Sequence, residues 1–555
     1  MKDRLSELLL QAFNAAQDSG DLPRAEAPDF VVERPKQADH GDLATNLAMQ
    51  LARPCRMNPR AIAEALLKHL NGKDGIIERA EIAGPGFINF FLKPVAWLSV
   101  LPQILAQGGD YGRANWGRRR KVLVEFVSAN PTGPLHVGHG RGAVLGDVLA
   151  RLFAFAGFDA GTEYYINDAG TQMATLGRSV WVRAGQLNGS GQAFPEKHYQ
   201  GEYIKDMAAA FLQTPQGAGL LDMPEPQAVA LASGWAGAEI LQGIKDDLAA
   251  FGVEIENYYP ESSLVQCGAV DGAFADLKER GLLYESEGAL WFKATDFGDE
   301  KDRVVKRQSG ELTYFASDIA YHLDKFKRGY EQLIDVWGAD HHGYVPRLQA
   351  AMSALGRPAE DLKVVLVQLV SLLRKGEPVA MSTRGGEFVT LREVVDEVGA
   401  DSARFIFLTR RAEAPLDFDL DLAKQQSMDN PVFYVQYAHT RVKSVLRKAA
   451  ETNVPLPDPA KVGLEVLSLP EEVALARRLG EFPELVEGAT MALEPHRITY
   501  YLHDLAGEFH SYYNAHRILE EDPALAAGRL VLAQAVGVVL AGGLGLLGVC
   551  APEAM

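Results

Sequence analysis

Two histidines around a glycine offer the clearest chemistry in this chain. His136, Gly138 and His139 follow a short apolar run, residues 122–127, and open a segment whose apolar residues recur at three- and four-residue spacing from 144 to 153. A helix N-terminus presents unpaired N–H groups and the positive end of its dipole, and glycines let a ligand approach the backbone. We therefore predict a strand-to-helix junction that holds phosphate. A histidine pair making only local hydrogen bonds is the alternative.

A second group of polar residues invites a metal-site interpretation. Asp340, His341 and His342 are consecutive, so they cannot easily converge on one ion without distant partners. The three cysteines are far apart in the sequence and include no Cys-x-x-Cys. We therefore predict neither a protein-held metal nor a disulfide framework. This use of cysteine fits a reducing cytoplasm.

The middle of the chain must supply the framework for these residues. Apolar strands near residues 122–127, 162–166, 333–337 and 364–369 alternate with helical segments. This alternation predicts an α/β fold with a doubly wound parallel sheet and a ligand at the carboxyl ends of its strands. An insertion is expected around residues 188–265.

The two ends of the chain predict separate domains. Residues 1–110 begin with an amphipathic helix and include an alternating stretch, residues 82–92, that predicts a strand. From about residue 426 to 555 the pattern is mostly helical, with aromatic and basic residues interleaved near 434–448 and 509–517. Such interleaving is typical of surfaces that stack unpaired RNA bases. A helix-bundle core with a solvated basic rim is the alternative.

Composition narrows the function classes. The 555 residues are 47% hydrophobic and 23% charged, as in an ordinary soluble protein, and the net charge is −18. This charge argues against a sequence-blind nucleic-acid coat but leaves room for a local basic face. Residues 530–551 carry no charge and could span a bilayer by length, although their glycines favour a closely packed terminal helix. We expect no membrane association.

Several of these motifs resemble one enzyme family. The His-x-Gly-His junction resembles the first signature of class I aminoacyl-tRNA synthetases. The turn His40-Gly41-Asp42 with Ala44-Thr45-Asn46, and the string Ile166-Asn167-Asp168-Ala169-Gly170, resemble arginyl-tRNA synthetases in the order of that family. The resemblance covers nearly the whole chain. It implies a Rossmann-type catalytic domain (111–425) between an N-terminal α+β domain that contacts tRNA (1–110) and a C-terminal all-α helical bundle that binds the anticodon (426–555).

The resemblance also implies a reaction. ATP-dependent attachment of L-arginine to tRNA(Arg) would proceed through an arginyl-adenylate, releasing pyrophosphate and AMP, with Mg²⁺ accompanying ATP. The resemblance further implies that the protein is cytoplasmic and monomeric. A class I synthetase of another amino-acid specificity and a non-catalytic tRNA-binding paralogue remain alternatives. A nucleotidyltransferase acting on a small molecule would not need the two outer domains.

The family's site residues carry over onto matching positions. Those implied for arginine are Glu125, Asn130, Tyr314, Asp318 and His341. Those implied for ATP are His136, Gly138, His139, Met381, Ser382, Thr383 and Arg384, with His136, His139 and Arg384 in catalytic roles. Those implied for tRNA are Tyr437, Arg441 and Tyr513. Carboxylates suit a planar guanidinium, which carries five donors in a fork.

The family's second signature, which reaches the ATP phosphates, corresponds here to the stretch around Met381 and Ser382. It departs from the usual Lys-Met-Ser-Lys-Ser form. Ala380 and Thr383 stand where lysines are common. Arg384 is then the nearest replacement cation for the pyrophosphate, with Arg141 or Lys375 as candidate helpers.

Overall fold

The computed structural model describes residues 1–35, 37–70, 75–379 and 388–555. The N-terminal part packs helices against a four-stranded antiparallel sheet of order β1-β2-β4-β3. Its elements are α1 (Lys2–Asp18), β1 (Val32–Glu33), β2 (Leu43–Thr45), α2 (Leu47–Cys55), α3 (Pro59–His69), β3 (Ile77–Ala83), β4 (Phe87–Leu92), α4 (Pro94–Leu98) and α5 (Val100–Gln107).

The stretch predicted as one strand over residues 82–92 does end in a strand, but it is not continuous. These residues contain the end of β3, a turn and all of β4, which pair antiparallel. Gly84 and Gly86 adopt φ values of +52° and +145° in the turn, a region that favours glycine. The chain therefore reverses at the turn Gly84-Pro85-Gly86, and the alternating apolar residues on its two sides belong to two strands.

The central part is an α/β domain, as predicted. Its elements are β5 (Lys121–Glu125), α6 (Val137–Phe155), β6 (Asp159–Ile166), α7 (Thr171–Leu187), α8 (Glu202–Leu212), α9 (Glu225–Ala250), β7 (Asn257–Pro260), α10 (Glu261–Gln266), α11 (Ala269–Glu279), β8 (Leu283–Ser286), β9 (Ala289–Phe292), β10 (Arg303–Lys306), α12 (Tyr314–Lys327), β11 (Gln332–Gly338), α13 (Val345–Ala354), β12 (Leu362–Val367), β13 (Val370–Arg374), β14 (Glu377–Pro378), α14 (Leu391–Val398), α15 (Ala400–Phe407), β15 (Leu416–Asp419) and α16 (Leu420–Ala423).

Five of these strands form a parallel sheet of order β12-β11-β5-β6-β7. The chain starts in the middle at β5, moves outward through β6 and β7, and then crosses to β11 and β12 on the other side. The order therefore reverses between β5 and β11, which is the switch point where ligands bind in sheets of this kind. This confirms the predicted doubly wound sheet.

Alternate residues of β5 enter two separate cores. Val122 and Val124 belong to the core that contains α6, whereas Leu123 belongs to the core that contains α12. Helices thus cover both faces of the sheet. On the first face α6 approaches closely, because Gly146 has no side chain: a Cβ atom there would lie 2.1 Å from Cγ of Phe126.

The C-terminal part is entirely helical among its regular elements, as predicted. It contains α17 (Pro431–Glu451), α18 (Pro470–Gly480), α19 (Phe482–Ala492), α20 (His496–Ala515) and α21 (Pro523–Leu546). Helix α21 is long and apolar enough to cross a membrane, but 67% of its most apolar window is buried inside the protein. It serves as the central packing helix of this bundle, in contact with α17, α18 and α20.

The N-terminal and C-terminal parts also touch each other. Asp42 pairs with Arg477 of α18, whose guanidinium lies 4.7 Å from the ring centre of Trp97. Just after the N-terminal part, the hydroxyl of Tyr111 also donates to the carbonyl of Leu479 at 3.1 Å. The Asp of the predicted His-Gly-Asp turn is therefore a docking residue between two domains.

The close approach of α6 to the sheet gives a first prediction. Gly146→Ala should destabilise the protein by about 1–3 kcal/mol, because the new methyl group collides with Phe126. Gly142→Ala, four residues earlier in the same helix, should be neutral or stabilising by up to about 1 kcal/mol: no atom lies within 4 Å of its added Cβ, and alanine favours helix. Urea unfolding of both variants measures the difference, and equal stabilities would contradict the collision.

Candidate active site

A cavity of about 400 Å³ lies at the switch point of the parallel sheet. Its wall combines the residues after β5, the end of β11, the first two turns of α12 and the 3-10 turn Ala339–Tyr344. The lining side chains include Glu125, Ser128, Tyr165, Tyr314, Asp318, Tyr321, His322, Asp335, Trp337, His341 and Tyr344. Acidic groups on an aromatic wall suit an organic cation.

Three carboxylates form a row beneath this cavity. Asp335 of β11, Glu125 of β5 and Glu163 of β6 are direct register partners across the three central strands. Their exposed fractions are 1%, 7% and 0%. Ionised groups at such depth must have partners close by. We name these three residues the acid row.

One helix supplies the cations for the acid row. Nζ of Lys325 in α12 donates to Oε2 of Glu125 (2.5 Å) and to Oδ1 of Asp335 (3.1 Å). Arg328, just past the end of α12, donates to both oxygens of Glu163 at 2.6 and 2.8 Å. Burial alone would raise the pKa of Glu163. The Arg328 hydrogen bonds, the charges of Lys325 and Arg328 and a hydrogen bond from Tyr321 together outweigh burial and lower that pKa.

Sequence reasoning missed all of the acid row except Glu125. The sequence did contain a signal that could have indicated them. Each of three otherwise apolar strands has an acidic residue within it or at its end, and a lysine and an arginine lie at the end of a helix. Such residues are usually solvated, and only the strand register brings them into one row.

Helix α12 also presents two of the predicted site residues. Tyr314 begins the helix and is 64% exposed at the rim, and Asp318 follows one turn later on the cavity wall. The hydroxyl of Tyr344 donates to Oδ2 of Asp318. Removal from water raises the pKa of Asp318, although the Tyr344 hydrogen bond opposes this rise. The predicted helix start with both side chains on one face is confirmed.

The backbone after β5 is strained. Val127 and Ser128 have φ values of +68° and +40°, and a left-handed conformation is unfavourable for a β-branched residue. This turn carries the hydroxyl of Ser128 back to Oε1 of Glu125, at 2.8 Å. Both residues line the cavity, so the strain directly shapes its wall.

The predicted phosphate junction has the expected form. His136 precedes α6, its Nδ1 accepts from the N–H of Gly138 at 3.1 Å, and the Nδ1 of His139 accepts from the N–H of His136 at 3.2 Å. The two rings stack with centres 3.7 Å apart. Burial lowers the pKa of His136, and it lowers the pKa of His139 to about 3. Each neutral ring therefore carries its hydrogen on Nε2, as a donor.

The remaining predicted site residues differ in whether they lie at the cavity. His341 lies on the cavity wall and is exposed, whereas Asn130 is half-buried outside the described lining. Met381, Ser382, Thr383 and Arg384 lie outside the described residues. Phe388, shortly after them, reaches the junction: its ring centre lies 6.2 Å from that of His136.

Arg141 is wrong as a helper cation for pyrophosphate. Its side chain is only 2% exposed, and its guanidinium donates to three backbone carbonyls, those of Gln368, Arg411 and Ala414. These bonds fix α6 to the neighbouring segments. The side chain has a structural role and does not reach a ligand.

A second site lies in the helical C-terminal part. The guanidinium of Arg441 lies 4.8 Å from the ring centre of Tyr437 and 4.9 Å from that of Tyr513. It also donates to His510 and Asn514, each at 3.2 Å. Helices α17 and α20 thus bring together the three residues predicted from separate stretches of sequence. We name Tyr437, Arg441 and Tyr513 the aromatic clamp.

Comparison with known families places these features in one context. Residues 3–92 match the family described as "Arginyl tRNA synthetase N terminal domain". Residues 100–207 and 241–414 match "tRNA synthetases class I (R), catalytic domain". Residues 435–555 match "DALR anticodon binding domain".

Individual relatives match over the full length. The chain is 54% identical to the arginine–tRNA ligase of Geobacter sp. strain M21 and 52% identical to that of Syntrophotalea carbinolica, with 100% of each chain covered. The arginyl-tRNA synthetase structure from Thermus thermophilus superposes with a TM-score of 0.74 at 27% identity, again with 100% of both chains covered. The chain therefore belongs to the arginyl-tRNA synthetase family of class I aminoacyl-tRNA synthetases.

Proposed function

We propose that this protein attaches L-arginine to tRNA(Arg) in two steps. In the first, a carboxylate oxygen of arginine attacks the α-phosphorus of ATP. The bond between that phosphorus and the oxygen that bridges it to the β-phosphate breaks, and pyrophosphate leaves. In the second, a hydroxyl of the terminal ribose of the tRNA attacks the arginyl carbonyl, and AMP leaves. The observation that carries this proposal is the cavity at the switch point of the sheet, which is lined by acidic and aromatic side chains. The chain that forms it matches this family over its full length.

Arginine is assigned to the cavity. Its guanidinium would meet the carboxylates of Glu125 and Asp318, which come from different elements and can accept from different edges of the fork. Tyr314 at the rim would cover the aliphatic stem. Asn130 and His341 keep their predicted assignment to arginine binding.

ATP is assigned to the N-terminus of α6. His136 and His139 would donate from Nε2 to phosphate oxygens, and Gly138 would leave room beside them. Met381, Ser382, Thr383 and Arg384 would complete the phosphate side, with Arg384 facing the pyrophosphate. Catalysis then rests on positioning and on stabilisation of charge that develops on phosphate oxygens.

Mg²⁺ is proposed only as a companion of ATP. Among the described residues, no group of three or more His, Cys, Asp or Glu side chains could hold a metal ion. The residues present therefore do not fit a dedicated metal site, and the phosphates themselves are the natural ligands. None of the steps above is assigned to the metal.

The outer domains are assigned to tRNA. Residues 1–110 would contact the body of the tRNA, residues 111–425 would carry catalysis with an insertion around 188–265, and residues 426–555 would bind the anticodon. The aromatic clamp would provide stacking surfaces for unpaired bases there. The protein is proposed to act in the cytoplasm as a monomer, without a membrane.

The substrate assignment is tested by ATP–pyrophosphate exchange with each amino acid, with and without tRNA. Exchange should occur with arginine and require tRNA, as the family resemblance implies. Asp318→Asn should raise the KM for arginine by about tenfold to a hundredfold, because a charge-assisted hydrogen bond is lost. Asp271→Asn on the exposed face of α11 is the matched control. Exchange with another amino acid would refute the assignment to arginine, and tight tRNA binding without any exchange would favour a non-catalytic protein.

The histidine pair predicts a specific pH dependence. Burial lowers the pKa of His139 to about 3, so its ring stays neutral throughout the range from about pH 6 to 8. The pH dependence of the exchange rate should therefore show no contribution from ionisation of His139 in this range. His139→Ala should lower kcat by about a hundredfold through loss of the donor, whereas His503→Ala on α20 should not. An inflection near pH 6.5 that disappears in His139→Ala would contradict a neutral ring.

The same shift affects stability. Because the unfolded chain binds a proton at His139 near its ordinary pKa and the folded chain does so only near pH 3, folding stability contributed by this group should fall as pH is lowered from about 6.5 towards 3. His139→Gln should weaken this acid sensitivity. Urea unfolding at several pH values measures it.

The aromatic clamp predicts a local loss of tRNA affinity. Arg441→Met should weaken tRNA binding by about tenfold or more, since the tyrosines lose the cation that holds them together. Arg447→Met removes the same charge from the exposed side of α17, where Arg447 donates to Ser444, and should weaken binding less. Equal losses in the two variants would show that only net charge matters. Filter binding with tRNA at fixed salt measures both.

A further inference from the structure

The side chain of Lys325 is fully buried beneath the cavity. Its Nζ donates to Oε2 of Glu125, while Oε1 of Glu125 accepts from Ser128. Both oxygens of the proposed guanidinium acceptor therefore have a fixed internal partner. These two hydrogen bonds fix the orientation of the Glu125 carboxylate relative to the cavity.

Anchoring of α12 does not depend on Lys325 alone. Arg328 binds Glu163 through two hydrogen bonds, and Tyr321 donates to the same carboxylate at 2.7 Å. Nε2 of His322 lies 2.8 Å from Oδ2 of Asp335. The helix is thus joined to β6 and β11 by other side chains, and Lys325 is the described cation that contacts Glu125 directly.

We propose that Lys325 is a positioning residue for arginine: its ammonium group holds the Glu125 carboxylate in the orientation that accepts the guanidinium. The proposal rests on the proposed arginine-binding role of Glu125. Lys325 does not touch the substrate in this arrangement, because Glu125 lies between them.

The charges around Lys325 explain why its loss would matter. The groups that face it and Glu125 are Asp318, Tyr321 and His322 from α12, Glu163 from β6, and Asp335 from β11. Burial by itself would lower the pKa of Lys325, but attraction to Asp335, Glu125 and Glu163 outweighs burial and raises that pKa. Without this cation, Glu125 and Asp335 become two adjacent buried carboxylates, and one of them takes up a proton as the pH falls.

The test compares Lys325→Met with Lys327→Met, which removes an exposed lysine from the same helix. In tRNA-dependent ATP–pyrophosphate exchange with the full-length chain, Lys325→Met should raise the KM for arginine by about tenfold to a hundredfold and leave the KM for ATP unchanged. Its KM for arginine should also rise further as the pH is lowered from about 8 to 6, since a proton competes with the guanidinium. Lys327→Met should behave as the wild type in all three respects.

A second variant separates positioning from folding. Lys325→Met with Asp335→Asn removes the cation together with one carboxylate, so its unfolding midpoint in urea should recover towards that of the wild type. Its KM for arginine should remain raised, because Glu125 still lacks the Lys325 hydrogen bond that orients it. Recovery of stability and of the KM together would overturn the proposal, as would a folded Lys325→Met with an unchanged KM.

Glu125→Gln distinguishes this inference from the function on which it rests. A raised KM for arginine in Glu125→Gln with a normal KM in Lys325→Met would overturn the role of Lys325 alone. An unchanged KM in Glu125→Gln would instead remove the proposed arginine role of Glu125, and the role of Lys325 with it. Raised values in both variants, with the pH dependence confined to Lys325→Met, are the expected result.

Discussion

The acid row and its counterions, Lys325 in α12 and Arg328 at the end of that helix, are the constraint on which the cavity at the switch point depends. Three buried carboxylates across adjacent strands cannot remain ionised without cations at contact distance, and Lys325 and Arg328 supply them from one helix. Sliding α12 along the sheet would separate these charges in a medium of low dielectric, which costs far more than moving an apolar contact. The helix register is therefore fixed, and with it the positions of Tyr314 and Asp318 two to three turns away.

One strand connects both halves of the site. β5 ends at Glu125, the strained turn at Val127 and Ser128 folds back onto that carboxylate, and the chain then enters α6 at the histidine junction. The close packing of Gly146 on Phe126 holds α6 against the sheet. Because the cavity and the helix N-terminus are joined by about ten residues, a cation in the first and a phosphate at the second would be presented to each other by a short, rigid segment.

Much of this architecture could be predicted from sequence, since strand runs, the periodicity of α6 and the four-residue spacing on α12 are local patterns. The predicted continuity of the strand over 82–92 failed because alternation continued across a Gly-Pro-Gly turn. The acid row could not be predicted, because Glu125, Glu163 and Asp335 meet only through a parallel register that spans more than two hundred residues. Arg141 failed for a related reason: arginine beside a phosphate motif suggests a ligand contact, but here three carbonyls surround it.

The net charge of −18 sets a condition on how such a chain can hold an RNA. A negative net charge repels phosphates at long range, so affinity has to come from local contacts, either with a basic face or with stacking surfaces. The aromatic clamp fits this condition. Arg441 lies within 5 Å of two tyrosine rings and is hydrogen-bonded to His510 and Asn514. Both tyrosine side chains remain half-exposed, as the proposed stacking of RNA bases requires. Base stacking on aromatic rings depends less on ionic strength than phosphate contacts do, and in the proposed role it would discriminate unpaired bases from duplex, whose faces are already covered.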